Sequence, residues 1–180
     1  MHPGRWAIGA SLTVADRLGS GAFFRGDTLH VVLVEPEIPQ NTGNVARTCA
    51  VTGTTLHMVG PLGFSLSDRY LKRAGLDYWP LVDLRYHQAW AEVEVELAGR
   101  PFYLAATKAR RSYAEVTYPP DSVLVFGAET KGLPPELLAR YSGSLIRIPM
   151  RPGLRSLNLS NSVAIVLYEA LRQQGFSGLE

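Results

Sequence analysis

The sequence is poor in the residues that build disulfides and metal sites. Cys49 is the single cysteine among 180 residues, which excludes an internal disulfide and a cysteine-based metal cluster. The four histidines are scattered along the chain, and none of them shows a metal-ligand spacing such as H-x-x-x-H. From these absences we expect a protein that works without a metal.

Long apolar runs are also missing. No stretch approaches the roughly 20 apolar residues that a membrane-spanning helix needs, and the first 18 residues lack the shape of a signal peptide. We therefore expect a soluble, cytoplasmic protein with no membrane partner. The formal net charge of +2 and the pI near 8.8 permit a nucleic-acid partner without requiring one.

The apolar content is sufficient for one domain with its own core. Hydrophobic residues make up 46% of the chain and charged residues 19%, a balance typical of a folded protein. Residues 1–28 are rich in glycine and arginine and show no clear periodicity, so we predict a mobile N-terminal extension there. Residues 29–180 are predicted to form the folded domain.

Apolar runs alternate with helical patterns through this domain. Helices are predicted over residues 41–52, 67–75, 87–99, 134–141 and 156–175. Strands are predicted at LHVVLVE (29–35), TTLHMVG (54–60), LVDLRYH (81–87), PFYLAAT (101–107), SVLVFGAE (122–129) and SLIRIPM (144–150). This alternation predicts an α/β fold with a mostly parallel sheet flanked by helices.

The first predicted strand is followed by EPEIPQNTGNVARTC (35–49), which is more polar than a helix start requires. One short polar side chain is enough to cap a helix, and Asn41 or Thr42 is expected to do so. The remaining polar residues and Arg47 are not needed to cap the helix, which indicates that they bind a polar group. The planar guanidinium fork of Arg47 is suited to binding a phosphate.

A second unusual segment, LVFGAETKGLP (124–134), follows another strand. Gly127 and Gly132 would allow another chain segment or a ligand to approach the backbone closely. An ordinary strand–turn–helix connection explains these glycines equally well. The segment lacks the G-x-x-x-x-G-K-[ST] pattern of a phosphate-binding loop and the G-x-G-x-x-G pattern of a dinucleotide site.

The third segment, IPMRPGLRSLNLSNSVAIVLYEA (148–170), opens a strongly apolar helix with polar residues. Free N–H groups at such a helix start suit a carboxylate or a phosphate, although a well-capped helix behind a solvated basic loop is the alternative. The polar cluster comprises Ser156, Asn158, Ser160 and Asn161, with Arg147, Arg151 and Arg155 nearby. A weaker cluster of Lys108, Arg110 and Arg111 is either a solvated face or part of a nucleic-acid surface.

Together the three segments resemble the SPOUT superfamily of S-adenosylmethionine-dependent RNA methyltransferases. The resemblance extends from Leu29 to about Gly175 and is closest to the small, single-domain branch that methylates the ribose 2'-hydroxyl of the wobble nucleotide of tRNA. Three motifs in family order and spacing make it specific. It implies a C-terminal chain tied in a deep trefoil knot, a homodimer, and tRNA as the partner.

The resemblance also implies roles for individual residues. The cofactor S-adenosylmethionine would be held near Ala105, Gly127, Ile148 and Ser156, and the catalytic group would comprise Arg47, Asn41, Ser156 and Asn158. RNA would be bound by Arg47, Lys108, Arg110, Arg151, Arg155 and Tyr168. No metal is implied.

Alternative functions differ in substrate or in chemistry. One is a 2'-O-methyltransferase of the same superfamily that acts on ribosomal RNA or on another tRNA position, and another is a catalytically silent RNA-binding protein. A nucleotide-dependent enzyme unrelated to methylation is disfavoured by the missing phosphate-binding patterns. A guanidinium stays protonated at neutral pH, which favours electrostatic assistance by Arg47 over a role as general base.

Overall fold

A six-stranded parallel sheet forms the centre of the structure, which is a computed structural model. All six predicted strands are confirmed, as β1 (His30–Val34), β2 (Thr55–Val59), β3 (Leu84–His87), β4 (Phe102–Ala105), β5 (Val123–Phe126) and β6 (Leu145–Ile146). In the sheet the strands follow the order β3-β2-β1-β5-β4-β6, and all five pairings between neighbours are parallel.

The structure describes residues 28–65, 78 and 81–180. The predicted mobile extension lies outside the described residues except for its last position, and so does the predicted helix over residues 67–75. None of the helices in the described part of the chain is long and apolar enough to cross a membrane.

Helices cover both faces of the sheet. Helix α1 (Pro39–Thr52) and helix α4 (Leu159–Gln173) pack on one face, and α2 (Trp90–Glu96) and α3 (Pro135–Arg140) pack on the other. The β-branched strand residues alternate between these two layers, with Val31 in the first and Val32 in the second. The predicted α/β architecture with flanking helices is thereby confirmed.

Helix α1 begins earlier than predicted and without the predicted cap. Ile38 is the N-cap residue, and no side chain accepts a hydrogen bond there. Pro39 occupies the first helical position, where its missing N–H costs nothing. The expectation that Asn41 or Thr42 caps α1 was wrong, because both residues lie inside the first turns and are buried.

Helix α4 begins at Leu159, three residues later than predicted. The side chain of Asn158 caps it by accepting hydrogen bonds from the backbone N–H groups of Ser160 (2.9 Å) and Asn161 (3.3 Å). Ser156 therefore lies in the loop between β6 and α4.

The chain order reverses between β1 and β5, which are neighbours in the sheet although three strands separate them in sequence. In open α/β sheets a crevice forms at such a point, beyond the carboxyl ends of the strands. The three polar segments singled out in the sequence follow β1, β5 and β6.

Candidate active site

A cleft of about 640 Å³ lies at the carboxyl ends of β4, β5 and β6. This volume falls within the range of small-molecule sites. All four residues predicted to hold a cofactor line it, together with Asn41 and Asn158 from the starts of α1 and α4. We call this site the motif cleft; its lining includes Asn41, Ala105, Gly127, Glu129, Ile148, Arg155, Ser156 and Asn158.

Gly127 is a point of very close contact between two chain segments. A Cβ atom on Gly127 would lie 2.1 Å from the carbonyl carbon of Gly132 and 2.2 Å from the backbone nitrogen of Leu133. Gly132 itself has a φ of +71° and donates its N–H to the carbonyl of Ala128 at 2.8 Å. The chain after β5 thus folds back over the strand end, and only glycine fits there.

Two carboxylates join the loop after β1 to the loop after β5. Glu129 accepts hydrogen bonds from the backbone N–H groups of Glu37 (2.8 Å) and Ile38 (3.2 Å). In return, Glu37 accepts from the backbone N–H (2.9 Å) and the hydroxyl (2.7 Å) of Thr130. These hydrogen bonds to Thr130 hold the pKa of the Glu37 carboxyl below its usual value. We call this reciprocal pair the carboxylate clasp.

A line of side-chain hydrogen bonds extends from the clasp to α4. Asn41 donates from Nδ2 to Glu129 Oε1 at 2.9 Å, and its Oδ1 accepts from Nδ2 of Asn158 at 2.8 Å. The other end of the Asn158 amide caps α4. Each asparagine thus donates one hydrogen bond and accepts at least one, and together with Glu129 they link all three polar segments of the sequence.

Arg47 lies outside the lining of the motif cleft, six residues beyond Asn41 on α1. Its side chain is exposed, and its guanidinium carbon lies 4.6 Å from the centroid of the Tyr78 ring, within the range of a cation–π contact. Within the described part of the chain, no ion pair involves Arg47. Its charge is accordingly available to an anionic ligand.

The other residues predicted to bind RNA divide into two groups. Lys108, Arg110, Arg151 and Arg155 are all exposed, and Arg155 lies on the motif cleft itself. Tyr168 lies away from the cleft on the surface of α4, with its ring centroid 6.4 Å from that of Phe176. The structure therefore gathers one of these five residues at the cleft.

Sequence analysis missed the two carboxylates of the clasp. Glu37 and Glu129 both lie within the polar segments that attracted attention, but they were not assigned roles. The available signal was the presence of carboxylates shortly after two strands whose carboxyl ends face the same edge of the sheet. Pairing them required knowledge that β1 and β5 are neighbours.

Comparisons with known proteins agree with this geometry. Residues 28–168 match the model of the SpoU rRNA Methylase family. The tRNA (cytidine(34)-2'-O)-methyltransferase of Methylovorus glucosotrophus (strain SIP3-4) is 49% identical over 149 residues, covering 82% of this chain and 97% of that protein.

Solved structures extend the agreement to the fold. One, described as giving structural insights into the 2-OH methylation of C/U34 on tRNA, is 47% identical, with a TM-score of 0.80, covering 83% of this chain and 98% of the other. An AdoMet-bound rRNA methyltransferase from Sinorhizobium meliloti is 27% identical, with a TM-score of 0.73, covering 81% of this chain and 56% of that one. The chain, with its motif cleft and its match over most of its length, belongs to the SpoU rRNA Methylase family.

Proposed function

We propose that this protein transfers a methyl group from S-adenosylmethionine to the ribose 2'-hydroxyl of the wobble nucleotide of tRNA. The observation that carries the proposal is the motif cleft, in which three separate segments meet at the carboxyl ends of neighbouring strands. Relatives that are about half identical over nearly their whole length and are named as tRNA (cytidine(34)-2'-O)-methyltransferases support the choice of substrate.

The volume of the motif cleft, about 640 Å³, lies in the range of small-molecule sites, which supports a cofactor there. Ala105, Gly127, Ile148 and Ser156 would hold S-adenosylmethionine, and the absence of a side chain at Gly127 lets the backbone of residues 132–133 approach and form the wall. When bound, the cofactor supplies an activated methyl group on a sulfonium that is already a good leaving group.

Positioning is the main contribution of the side chains in the cleft. Alignment of reacting groups lowers barriers by several kcal/mol, up to roughly 7–11 in ideal systems. Asn41 and Asn158 act by fixing the starts of α1 and α4 relative to the loop after β5, since their amide groups are occupied by each other and by Glu129. The hydroxyl of Ser156 lines the cleft and makes no hydrogen bond to the described residues, so it is the candidate partner of the 2'-oxygen.

Arg47 would bind the phosphate beside the target ribose. Its guanidinium is exposed and lies over Tyr78, and a permanent positive charge there would stabilise the developing negative charge on the 2'-oxygen. The exposed cations Lys108, Arg110, Arg151 and Arg155 would track the RNA backbone around the cleft.

We further propose a cytoplasmic homodimer with a trefoil knot in each C-terminal region. An exposed apolar patch between α1 and the end of α4 supports the dimer, since Val51, Tyr168 and Phe176 are 48%, 45% and 40% exposed. Tyr168 would then reach RNA from the dimer interface. The apolar C-terminal helix and the segment DYWPLV (77–82) are the candidate interface, and residues 77, 79 and 80 of that segment lie outside the described residues. Gel filtration that gives a stable monomer of 19.7 kDa would contradict the dimer.

The function is tested by methyl transfer from radiolabelled S-adenosylmethionine to unmodified total tRNA, with nuclease mapping of the labelled nucleotide. We expect label in a ribose-methylated wobble nucleotide, and a loss of at least about 100-fold in Arg47→Ala. Arg140→Ala is the control, because Arg140 is also an exposed arginine and pairs with Glu94 on the opposite face of the sheet.

The same assay separates the alternatives. Label on ribosomal RNA but not on tRNA would identify ribosomal RNA as the substrate. Cofactor binding with label on neither RNA would reject both substrates, and absence of cofactor binding by calorimetry would favour the catalytically silent RNA-binding protein.

A further inference from the structure

Three histidines form a continuous row across β1, β2 and β3, and none of them lines the motif cleft. His30 on β1, His57 on β2 and His87 on β3 are 5%, 0% and 4% exposed. Nδ1 of His30 lies 3.0 Å from Nε2 of His57, and Nδ1 of His57 lies 2.9 Å from Nε2 of His87. We call these residues the histidine row.

Strand register explains why residues so distant in sequence meet. His30 pairs with Thr55 and His57 pairs with Arg85, so each histidine lies two positions beyond the partner of the previous one. A shift of two residues keeps all three side chains on one face of the sheet. That face is covered by α2, whose Val93 packs into the same layer as Val32 of β1 and Val59 of β2.

Helix α2 adds carboxylates to one end of the row. Oε2 of Glu96 lies 3.8 Å from Nε2 of His87, and Oε2 of Glu92 lies 4.0 Å from Nδ1 of the same ring. The ligand atoms of His57, His87 and Glu96 all lie within 4.8 Å of one another. Glu96 is 34% exposed at its side chain, so solvent reaches this end of the row.

The separations suit a small cation held by three protein atoms. In a tetrahedral site with bonds of about 2.0–2.1 Å, ligand atoms lie roughly 3.3 Å apart. The observed 2.9 Å between the two imidazole nitrogens and 3.8 Å between imidazole and carboxylate bracket that value. The third pair of ligand atoms lies within 4.8 Å, and the cation would take the place of the proton that the two imidazoles share.

The surrounding hydrogen-bond partners also fit a cation. If Nδ1 of His57 and Nε2 of His87 offer lone pairs to a metal, their other ring nitrogens carry the protons. The Nε2–H of His57 then donates to Nδ1 of His30, and the carboxylate of Glu92 lies 4.0 Å from Nδ1 of His87. Metal-bound histidines commonly hold their second nitrogen in this way.

We propose that His57, His87 and Glu96 bind a divalent transition-metal cation of the Zn²⁺ class, with water as the fourth ligand. Two imidazole nitrogens and one carboxylate are the ligands that Zn²⁺ prefers, whereas Mg²⁺ and Ca²⁺ require oxygen. The cation would tie β2, β3 and α2 together, and it would take no part in methyl transfer because none of its ligands lines the motif cleft.

Arg85 provides an electrostatic control for this proposal. Its guanidinium hydrogen-bonds to Oε1 of Glu96 and lies 3.1 Å from Asp83, so it places a positive charge beside the cation site. Removing that charge in Arg85→Gln should tighten binding of the cation several-fold. A site formed by unrelated surface groups would not respond in this direction.

The test is calorimetry of the full chain, stripped of metal with a chelator, titrated with ZnCl₂. We expect one Zn²⁺ per chain, a melting temperature raised by roughly 5–10 °C at a hundredfold excess over Kd, and a visible spectrum of four-coordinate cobalt when Co²⁺ replaces Zn²⁺. Methyl transfer should be unchanged by chelation.

Matched variants decide whether these residues are the ligands. Glu96→Gln and His87→Ala should weaken Zn²⁺ binding at least tenfold. Glu94→Gln makes the same charge change on the same helix, but Glu94 pairs with Arg140, and binding should stay as in the wild type. Circular dichroism of each metal-free variant verifies that it is folded. Absence of binding by the wild type, or equal binding by wild type and Glu96→Gln, would overturn the proposal.

Discussion

The motif cleft and the histidine row are both polar clusters held between strands, but they are built in opposite ways. The cleft takes its polar groups from loops and helix starts, where Glu129 and Glu37 each receive backbone N–H groups from the other's loop. The row takes its polar groups from the strands themselves, and its rings are bonded mainly to one another.

The two surroundings also favour opposite charge states. Hydrogen bonds from Thr130 lower the pKa of Glu37 and so stabilise its charged form. Burial, with the nearby Arg100, lowers the pKa of His30 to about 4. Burial and the neighbouring histidines lower that of His57 to about 3, so both rings are neutral at pH 7. The hydroxyl and N–H of Thr130 thus stabilise a charge in the carboxylate clasp, whereas the sheet interior disfavours charge on the histidines.

The largest effect is expected where two segments of the cleft touch. Gly127→Ala places a methyl group about 2 Å from the backbone of residues 132–133, and neither segment can yield without losing the wall of the cleft. We expect a loss of about 4 kcal/mol in the free energy of unfolding and no detectable cofactor binding, measured by denaturation and calorimetry. Gly143→Ala is the control, because its Cβ would enter open space.

Breaking the histidine row should be costly for stability but harmless to catalysis. His57→Leu in the metal-free protein leaves the ring nitrogens of His30 and His87 that it contacts buried without partners. We expect a loss of about 2–3 kcal/mol in urea denaturation, with methyl transfer per folded molecule unchanged. A parallel fall in methyl transfer would show that the two regions are coupled.

The carboxylate clasp should respond less in stability and more in activity. Glu129→Gln replaces one acceptor oxygen with an amide group that faces N–H donors of Glu37, Ile38 or Asn41. We expect a loss of about 1–2 kcal/mol and a fall of at least tenfold in methyl transfer, because the start of α1 is no longer fixed. Glu136→Gln on the surface of α3 should change neither quantity.

The smallest effect is expected in how the free energy of unfolding depends on pH under acidic conditions. The folded pKa of Glu37 lies below its unfolded value near 4.5, so the clasp stabilises the protein above that pH and loses this contribution as pH falls through the folded pKa. Glu37→Gln should flatten the slope of stability against pH in that range. Identical slopes for the two proteins would contradict a stabilised Glu37 carboxylate.

The three segments that meet at the cleft were predictable because strand ends and glycines are local features of a sequence, whereas the individual cofactor residues came from the resemblance. Ala105, Gly127, Ile148 and Ser156 were each predicted for the cofactor from the resemblance, and all four line the cleft. The start of α1 was predicted less well. A cap by Asn41 or Thr42 is the local expectation, but Pro39 sets the first turn and Glu129, 88 residues away, engages Asn41.

The histidines show the limit of a search by spacing. His57 and His87 are 30 residues apart and His30 and His57 are 27 apart, distances that match no metal motif in a linear sequence. A parallel sheet places such residues side by side whenever the connecting segments bring the strands into the right register. The scattered spacing of the histidines led to the prediction of a protein without a metal, and the proposed cation site contradicts that prediction.

The sequence by itself determined the alternation of strands and helices, the apolar layers and the position of Gly127 at a strand end. These features follow from hydrophobic periodicity and backbone sterics, which act over a few residues. Only the tertiary structure decided that Glu129 meets Asn41 and that three histidines form a row. These contacts depend on which strands become neighbours and in what register. That choice is made by burial of the whole sheet between its helices, which no short segment encodes.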